Sequence, residues 1–96
     1  MTAYVIYQGE VLDPEQYERY KEKSGPAVAA SGGEFIVRGG DIDLLEGAAP
    51  AGRTVVLKFA SMEAARAWYD SDQYREAKAL RQGAARADVY IVDGTD

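Results

Sequence analysis

The chain has 96 residues, 47% of them hydrophobic, which is enough for one domain with one modest core. Its net charge of −5 makes a phosphate backbone an unfavourable partner, so nucleic acid is not expected. Cysteine and histidine are both absent, which excludes thiolate chemistry, imidazole-held haem, the usual zinc sites and a Ser-His-Asp triad. Asp41 and Asp43 alone are too few ligands for a carboxylate metal site. We therefore expect no metal and no tightly bound cofactor.

The start of the chain runs directly into an alternating strand and lacks the pattern of a signal peptide. No apolar run approaches the roughly 20 residues that a membrane span needs. These features predict a cytoplasmic protein with no membrane partner. Because no repeat, linker or low-complexity segment interrupts residues 1–96, the sequence predicts a single domain, ordered over about residues 3–94.

The first elements in chain order are a strand and a helix. Residues 3–11 alternate in the manner of a strand. Asp13 and Pro14 then favour a helix start, as N-cap and first helical residue. Gly25-Pro26 predicts a kink or a break near residue 24, because proline lacks an N–H and clashes with the preceding turn. Residues 31–33, Ser-Gly-Gly, predict the end of the helix.

Strands dominate the middle of the chain. Residues 34–38 predict a second strand and residues 39–41 a turn. Residues 42–46 are predicted to form a short strand that pairs back, followed by a loop at 47–52. The most apolar strand is expected at residues 54–59.

The last third predicts two capped helices and a strand. Ser61 is expected to cap a helix that runs to about Tyr69. Ser71-Asp72 then starts a second helix over residues 72–85. Residues 88–93 predict the final strand, before a frayed tail.

The order β-α-β-(β)-β-α-α-β predicts an α+β domain of the ferredoxin-like, split β-α-β type. Its antiparallel sheet carries helices on one face and leaves the other face bare. Both faces of residues 4–7 and 55–57 are apolar, so the bare face is not expected to stay in water. A second copy of the chain is the plausible cover, which predicts a homodimer.

Residues 53–75, together with Gly32-Gly33 and the turn at 38–40, resemble the small-protein family catalogued as domain of unknown function 1330. The resemblance covers about residues 3–94. It implies a dimeric α/β barrel, in which two protomers close eight strands. Proteins of this kind include cofactor-free monooxygenases, isomerases, cyclases and dehalogenase-like enzymes, although fold alone does not determine function.

Arg38 ends an otherwise apolar strand, and two readings of it remain open. It is either a solvated strand end or a pocket arginine that binds a substrate carboxylate by two hydrogen bonds. The family pattern that the chain resembles includes this arginine, which favours the second reading. The glycines that follow favour a plain tight turn over a phosphate loop, because they lead into a strand rather than a helix.

Glu46 and Arg53 flank the Pro/Gly loop and would be neighbours if residues 42–46 paired with residues 54–59. One hypothesis is an ion pair that fixes the base of the loop. The alternative makes Glu46 a general base and Arg53 a substrate-binding residue. In a chain without histidine, a carboxylate or a tyrosine has to transfer protons.

Tyrosine is frequent, with seven residues against two phenylalanines. Tyr20 lies on the apolar face of the first helix, while Trp68, Tyr69 and Tyr74 surround the junction of the later helices. Such residues often form only a core. Buried phenols need hydrogen-bond partners, however, so the cluster also fits a semi-polar pocket that binds a small molecule.

Ser71 and Asp72 are first of all a helix cap. As an alternative, they form a catalytic rim that offers a hydroxyl, a carboxylate and helix amides to an anionic substrate. Arg81 follows on the same helix face and is assigned to substrate binding. In the family that the chain resembles, Trp68, Tyr69, Ser71 and Tyr74 form a recurring signature.

Three function classes remain open from the sequence. The first is a cofactor-free enzyme acting on a small carboxylate or aromatic metabolite. The second is a non-catalytic ligand-binding or stress-response module, and the third is a purely structural dimer. Convergence of Tyr20, Arg38, Glu46 and residues 68–74 on one pocket would favour the first two.

Overall fold

The computed structural model describes residues 1–95 and contains four strands and three helices in that range. They are β1 (Ala3–Val11), α1 (Pro14–Ala30), β2 (Glu34–Arg38), β3 (Arg53–Phe59), α2 (Met62–Tyr69), α3 (Asp72–Arg81) and β4 (Ala85–Asp93). The strands form one antiparallel sheet in the order β2-β3-β1-β4. This arrangement confirms the predicted α+β, ferredoxin-like architecture.

Alternation along β1 separates the two faces of the sheet. Ala3, Val5 and Tyr7 are buried beneath the helices, whereas Tyr4 and Ile6 lie on the opposite face and are partly exposed. The same alternation continues across the sheet through the register of β1 with β3 and β4. The core therefore lies between the sheet and the helices, with α1 packed along α3.

The first helix begins as predicted, because the Asp13 side chain accepts a hydrogen bond of 3.2 Å from the backbone N–H of Gln16. Of the two outcomes predicted near residue 24, the break is wrong, since α1 continues through Pro26 to Ala30; the kink stays a prediction. Pro26 lies on the exposed side of the helix, where water can bind the carbonyl that loses its donor. Val28, on the opposite side, is buried in the core and holds the last turn in place.

The strand predicted at residues 42–46 is also wrong. Strand β3 pairs with β2 on one side and with β1 on the other, so neither of its edges is free to accept another strand. Residues 39–52 instead form an exposed loop without regular structure, and Leu45 in it is 86% exposed.

The boundary between α3 and β4 is shifted relative to the prediction. The helix ends at Arg81 rather than at residue 85, and Gly83 adopts a positive φ of 80° in the turn that follows. Strand β4 begins at Ala85, three residues earlier than predicted, because Ala85 pairs with Val11 and extends the ladder with β1.

The face of the sheet that the helices leave uncovered is strongly apolar at its centre. One row across the strands consists of Val37, Val56, Ile6 and Tyr90. Tyr90 is 48% exposed and Val37 is 39% exposed. A contiguous apolar row of this kind is unusual on the surface of a monomer and is typical of an interface.

Substitution of Gly39 tests the turn that follows β2. Gly39 has a φ of 75°, and a Cβ there would lie 2.9 Å from a guanidinium nitrogen of Arg53. We expect Gly39→Ala to lower the free energy of unfolding by about 1–3 kcal/mol in urea denaturation. Gly40→Ala is the matched control, because a Cβ on Gly40 meets nothing within 4 Å and its φ is not positive. Equal stability of the two variants would contradict this account of the turn.

Candidate functional site

A cavity lies between α1 and the helix-facing side of the sheet. The space between its walls is about 480 Å³, a volume that includes solvent at the open mouth. The part in which a water molecule can be centred without a clash is only about 30 Å³. That space suits about two water molecules. The lining consists of Val5, Tyr7, Tyr17, Tyr20, Lys21, Ser24, Val28, Phe35, Arg38, Arg53, Val55, Leu57, Trp68, Tyr74 and Val89.

The charges of the lining all have the same sign. Lys21, Arg38 and Arg53 contribute to it, and no Asp or Glu belongs to the lining formed by residues 1–95. The Lys21 ammonium group contacts the carboxylate of Glu18 at 2.9 Å, on the exposed side of α1. In a chain with a net charge of −5, this local excess of cations makes the cavity suitable for an anion.

The two arginines of the lining have different surroundings. The Arg53 guanidinium lies against Gly39, and its Nε is buried without a hydrogen-bond partner in the described structure. The Arg53 guanidinium carbon is also 5.7 Å from the centre of the Tyr17 ring. The exposed Arg38 stacks its guanidinium 4.0 Å above the Phe35 ring. A partially buried guanidinium with an unused donor is a natural partner for a carboxylate.

Tyrosine hydroxyls pair in the interior. Tyr17 donates a hydrogen bond of 3.3 Å to the hydroxyl of Tyr7. The hydroxyls of Tyr20 and Tyr74 are 3.0 Å apart, and either one can donate. Arg81 lies behind these rings, 5.6 Å from the centre of Tyr7 and 5.8 Å from that of Tyr20. It is not part of the cavity lining.

The buried tyrosines remain protonated at neutral pH. Burial raises the pKa of Tyr20 far above its ordinary value, and the adjacent Tyr74 raises it further. Burial likewise raises the pKa of Tyr17 and of Tyr74, although Arg81 partly offsets the rise for Tyr74. Burial lowers the pKa of Arg81, but the neighbouring tyrosines outweigh that effect and its pKa is raised. These phenols can therefore donate hydrogen bonds but cannot act as bases near neutrality.

Trp68, in the last turn of α2, contributes an aromatic wall to the cavity. The side chain is 3% exposed, and its ring centre lies 5.5 Å from Phe59 and 4.3 Å from Tyr74. Its indole Nε1 is buried and has no hydrogen-bond partner in the described structure. An unpaired buried donor is costly, and a bound acceptor would remove that cost.

The structure brings together five of the ten residues assigned to the site from the sequence. Tyr20, Arg38, Arg53, Trp68 and Tyr74 all line the cavity. Ten other lining residues were not assigned to the site, and four of them carry polar groups: Tyr7, Tyr17, Lys21 and Ser24. The spacing of Lys21 and Ser24 one turn beyond Tyr17 and Tyr20 was the available signal for two of them.

Glu46 does not reach the cavity. It is exposed in the loop at residues 39–52, and among residues 1–95 no ion pair joins it to Arg53, so that predicted pair is wrong. Its separation from the cavity follows from the missing hairpin, which was the basis for placing it there.

The remaining assigned residues lie around the cavity rather than in it. Ser71 caps α3, since its Oγ accepts from the backbone N–H of Tyr74 at 3.1 Å and donates to the carbonyl of Trp68 at 2.7 Å. Asp72 is exposed and contacts Arg75 at 3.5 Å. Tyr69 lines a second groove, between α2 and β4, which shares Val5, Trp68 and Val89 with the cavity lining. The catalytic roles assigned to Ser71 and Asp72 stay predictions.

Residues 1–95 contain no group of three or more Asp, Glu, His or Cys side chains placed to hold a metal ion. Within that range, no helix combines the length and apolar character required to cross a bilayer.

The chain belongs to the family described as domain of unknown function 1330 (DUF1330), whose profile matches residues 2–95. A protein of unknown function from Rhodopseudomonas palustris has a similar structure, with a TM-score of 0.76 and 19% identity, covering 99% of this chain and 83% of that one. A dimeric ferredoxin-like protein of unknown function from Jannaschia sp. CCS1 matches with a TM-score of 0.69 and 15% identity, covering 98% and 100% of the two chains.

A third similar structure is SnoaB, a cofactor-independent oxygenase from Streptomyces nogalater. Its TM-score is 0.64 at 10% identity, covering 99% of this chain and 94% of that one. No curated protein matches the chain. Identities this low establish a shared fold and leave the reaction open.

The raised tyrosine pKa values predict how stability depends on pH. A phenol whose pKa is higher in the folded state stabilises the fold fully below its ordinary pKa of 10.0, and that contribution is lost as the pH rises further. We expect the free energy of unfolding to fall above about pH 10. The fall should be smaller in the Tyr17→Phe/Tyr20→Phe variant, measured by urea denaturation across this range.

An equally steep loss in the parent and in the Tyr17→Phe/Tyr20→Phe variant would show that these two phenols do not carry the effect.

Proposed function

We propose that this protein is a cofactor-free small-molecule enzyme that acts on a small carboxylate or aromatic metabolite in the cavity of each protomer. The observation that carries the proposal is the cavity lining, in which Lys21, Arg38 and Arg53 contribute and no carboxylate does. The buried, unpaired Nε of Arg53 adds a donor that a ligand carboxylate can use. Apolar residues supply most of the remaining wall, as is usual in small-molecule sites.

The chemistry that such a site supports is stabilisation of negative charge on a substrate oxygen. Guanidinium groups and neutral hydroxyl donors are already in place before the substrate arrives, so they need little reorganisation as charge develops. The lining holds no carboxylate, and its buried phenols have raised pKa values. The substrate must therefore arrive ionised or ionise readily, because these residues cannot remove a proton near neutral pH.

A non-catalytic ligand-binding module is the second candidate. The same lack of a general base in the lining favours it, since binding alone requires only the cations and donors. Turnover separates the two candidates. Oxygen uptake with readily ionised hydroxyaromatic compounds is the first assay, because the similar fold of SnoaB belongs to a cofactor-independent oxygenase. Tight binding without turnover across such a panel would favour the module.

Binding of an anion is tested with benzoate and the neutral, similarly shaped benzamide. Trp68 is the only tryptophan and lines the cavity, so its fluorescence reports occupancy directly. We expect benzoate to bind more tightly than benzamide. Arg53→Gln should weaken benzoate binding by about tenfold or more, because it removes a charge-assisted hydrogen bond.

Arg19→Gln is the matched control, because Arg19 is exposed on α1 and does not line the cavity. It should bind benzoate as the parent does. Equal affinity for benzoate and benzamide in the parent, or unchanged benzoate binding in Arg53→Gln, would contradict the proposed anion site.

The functional unit is proposed to be a homodimer that buries the bare face of the sheet. The apolar row through Ile6 and Val56 supports this assembly, as does the dimeric description of the similar protein from Jannaschia. A cytoplasmic location without a nucleic-acid partner is proposed on the sequence grounds given above.

The dimer is tested by a charge at the centre of that row. Val56→Glu should convert the dimer to a folded monomer in light scattering at micromolar concentration, because an unpaired buried carboxylate is costly. Ala67→Glu on the exposed side of α2 is the control and should stay dimeric. A parent protein of 10.4 kDa in solution would contradict the assembly.

A further inference from the structure

The cavity has two chemically different ends. The helix-facing positions of β3 run from Arg53 through Val55 and Leu57 to Phe59. Trp68 stacks on Phe59 at 5.5 Å, so the indole lies at the end of β3 opposite to Arg53. The Cα atoms of Arg53 and Phe59 are six residues apart along the strand, or about 20 Å. The side chains of Arg53 and Trp68 occupy the two ends of this distance, and the cavity lies between them.

The Arg53 end is charged, whereas the Trp68 end carries neutral donors. The indole N–H of Trp68 is buried and unpaired in the described structure. The paired hydroxyls of Tyr20 and Tyr74 have two protons between them and use one in their mutual hydrogen bond of 3.0 Å. One hydroxyl proton therefore remains for another acceptor. The nearest cation to this pair, Arg81, is not part of the cavity lining.

Between these ends the wall is mainly hydrocarbon. The lining includes Val5 and Leu57, which pair in one middle row of the sheet, and Val55 and Val89, which flank Tyr7 in the next row towards Arg53. A flat apolar body suits this part of the cavity, whereas a second charge would be desolvated there without a partner.

We infer that the ligand is an aromatic carboxylate with a neutral oxygen acceptor, a hydroxyl or carbonyl group, at the end opposite the carboxylate. This inference rests on the proposed anion site and adds the orientation of the bound molecule. The carboxylate lies at Arg53, the ring lies between the aliphatic side chains, and the distal oxygen accepts from the Trp68 indole N–H. The Tyr20–Tyr74 pair supplies the second donor to that oxygen.

Two matched pairs of acids test the inference by isothermal titration calorimetry. They are benzoate with 4-hydroxybenzoate, and cinnamate with the longer 4-hydroxycinnamate. In at least one pair the hydroxylated acid should bind the parent about fivefold more tightly, as expected for one additional hydrogen bond. In Trp68→Phe, which keeps an aromatic ring but lacks the donor, the ratio of the two affinities should fall to about one.

A direct measurement covers the case in which Trp68→Phe fails to fold. The parent has one tryptophan, so its indole N–H gives a single resonance in a nitrogen–proton NMR spectrum. The hydroxylated acid should shift this resonance downfield, and its partner without the hydroxyl should move it much less.

The outcomes separate this inference from the proposal on which it rests. If none of the four acids binds, the anion site itself is wrong. If the acids bind through Arg53 but the hydroxyl preference is the same in Trp68→Phe, or the indole resonance moves equally with both members of a pair, the anion site stands. The assignment of the distal oxygen to Trp68 is then overturned.

Discussion

In the part of the chain that the structure describes, two arginines lie in an interior that provides tyrosine rings and hydroxyls for them but no carboxylate. Arg53 packs near Tyr17 and Arg81 near Tyr7 and Tyr20, and burial of each charge is offset by ring faces and phenol oxygens rather than by an ion pair. Burial raises the pKa of Tyr17 and of Tyr20, although the neighbouring arginines partly offset the rise, and Arg53 keeps an unused donor. The chemistry available in the cavity follows from this balance of charge and burial.

Features coded by neighbouring residues were predictable from the sequence. The N-caps at Asp13, Ser61 and Ser71 all form as expected, because each needs only a side-chain oxygen and an N–H three residues ahead. The strand at residues 42–46 failed because pairing is not local, and β3 already had partners on both edges. The effect of Pro26 was likewise decided by burial of the opposite helix face.

The same distinction between local and long-range features applies to the residues of the candidate site. Tyr20, Trp68 and Tyr74 were predictable because helical spacing and the alternation of the sheet place them on the inner side. Glu46 was misplaced because its position depended on the hairpin that does not form. The buried, unpaired donors of Arg53 and Trp68 could not be read from residue order, since they depend on the absence of any acceptor from distant elements.

The cavity has room for only about two water molecules, so a ligand of more than a few atoms requires side chains to move. The tyrosine pairs and the stacked Trp68 are held by hydrogen bonds and ring contacts on several sides. Arg38 is exposed and Lys21 is only partly buried, so both carry long side chains that can move into solvent at little cost. Opening is therefore easiest between α1 and β2. A carboxylate that enters there contacts Lys21 and Arg38 first. It reaches the more buried Arg53 only after it has lost its remaining water of hydration.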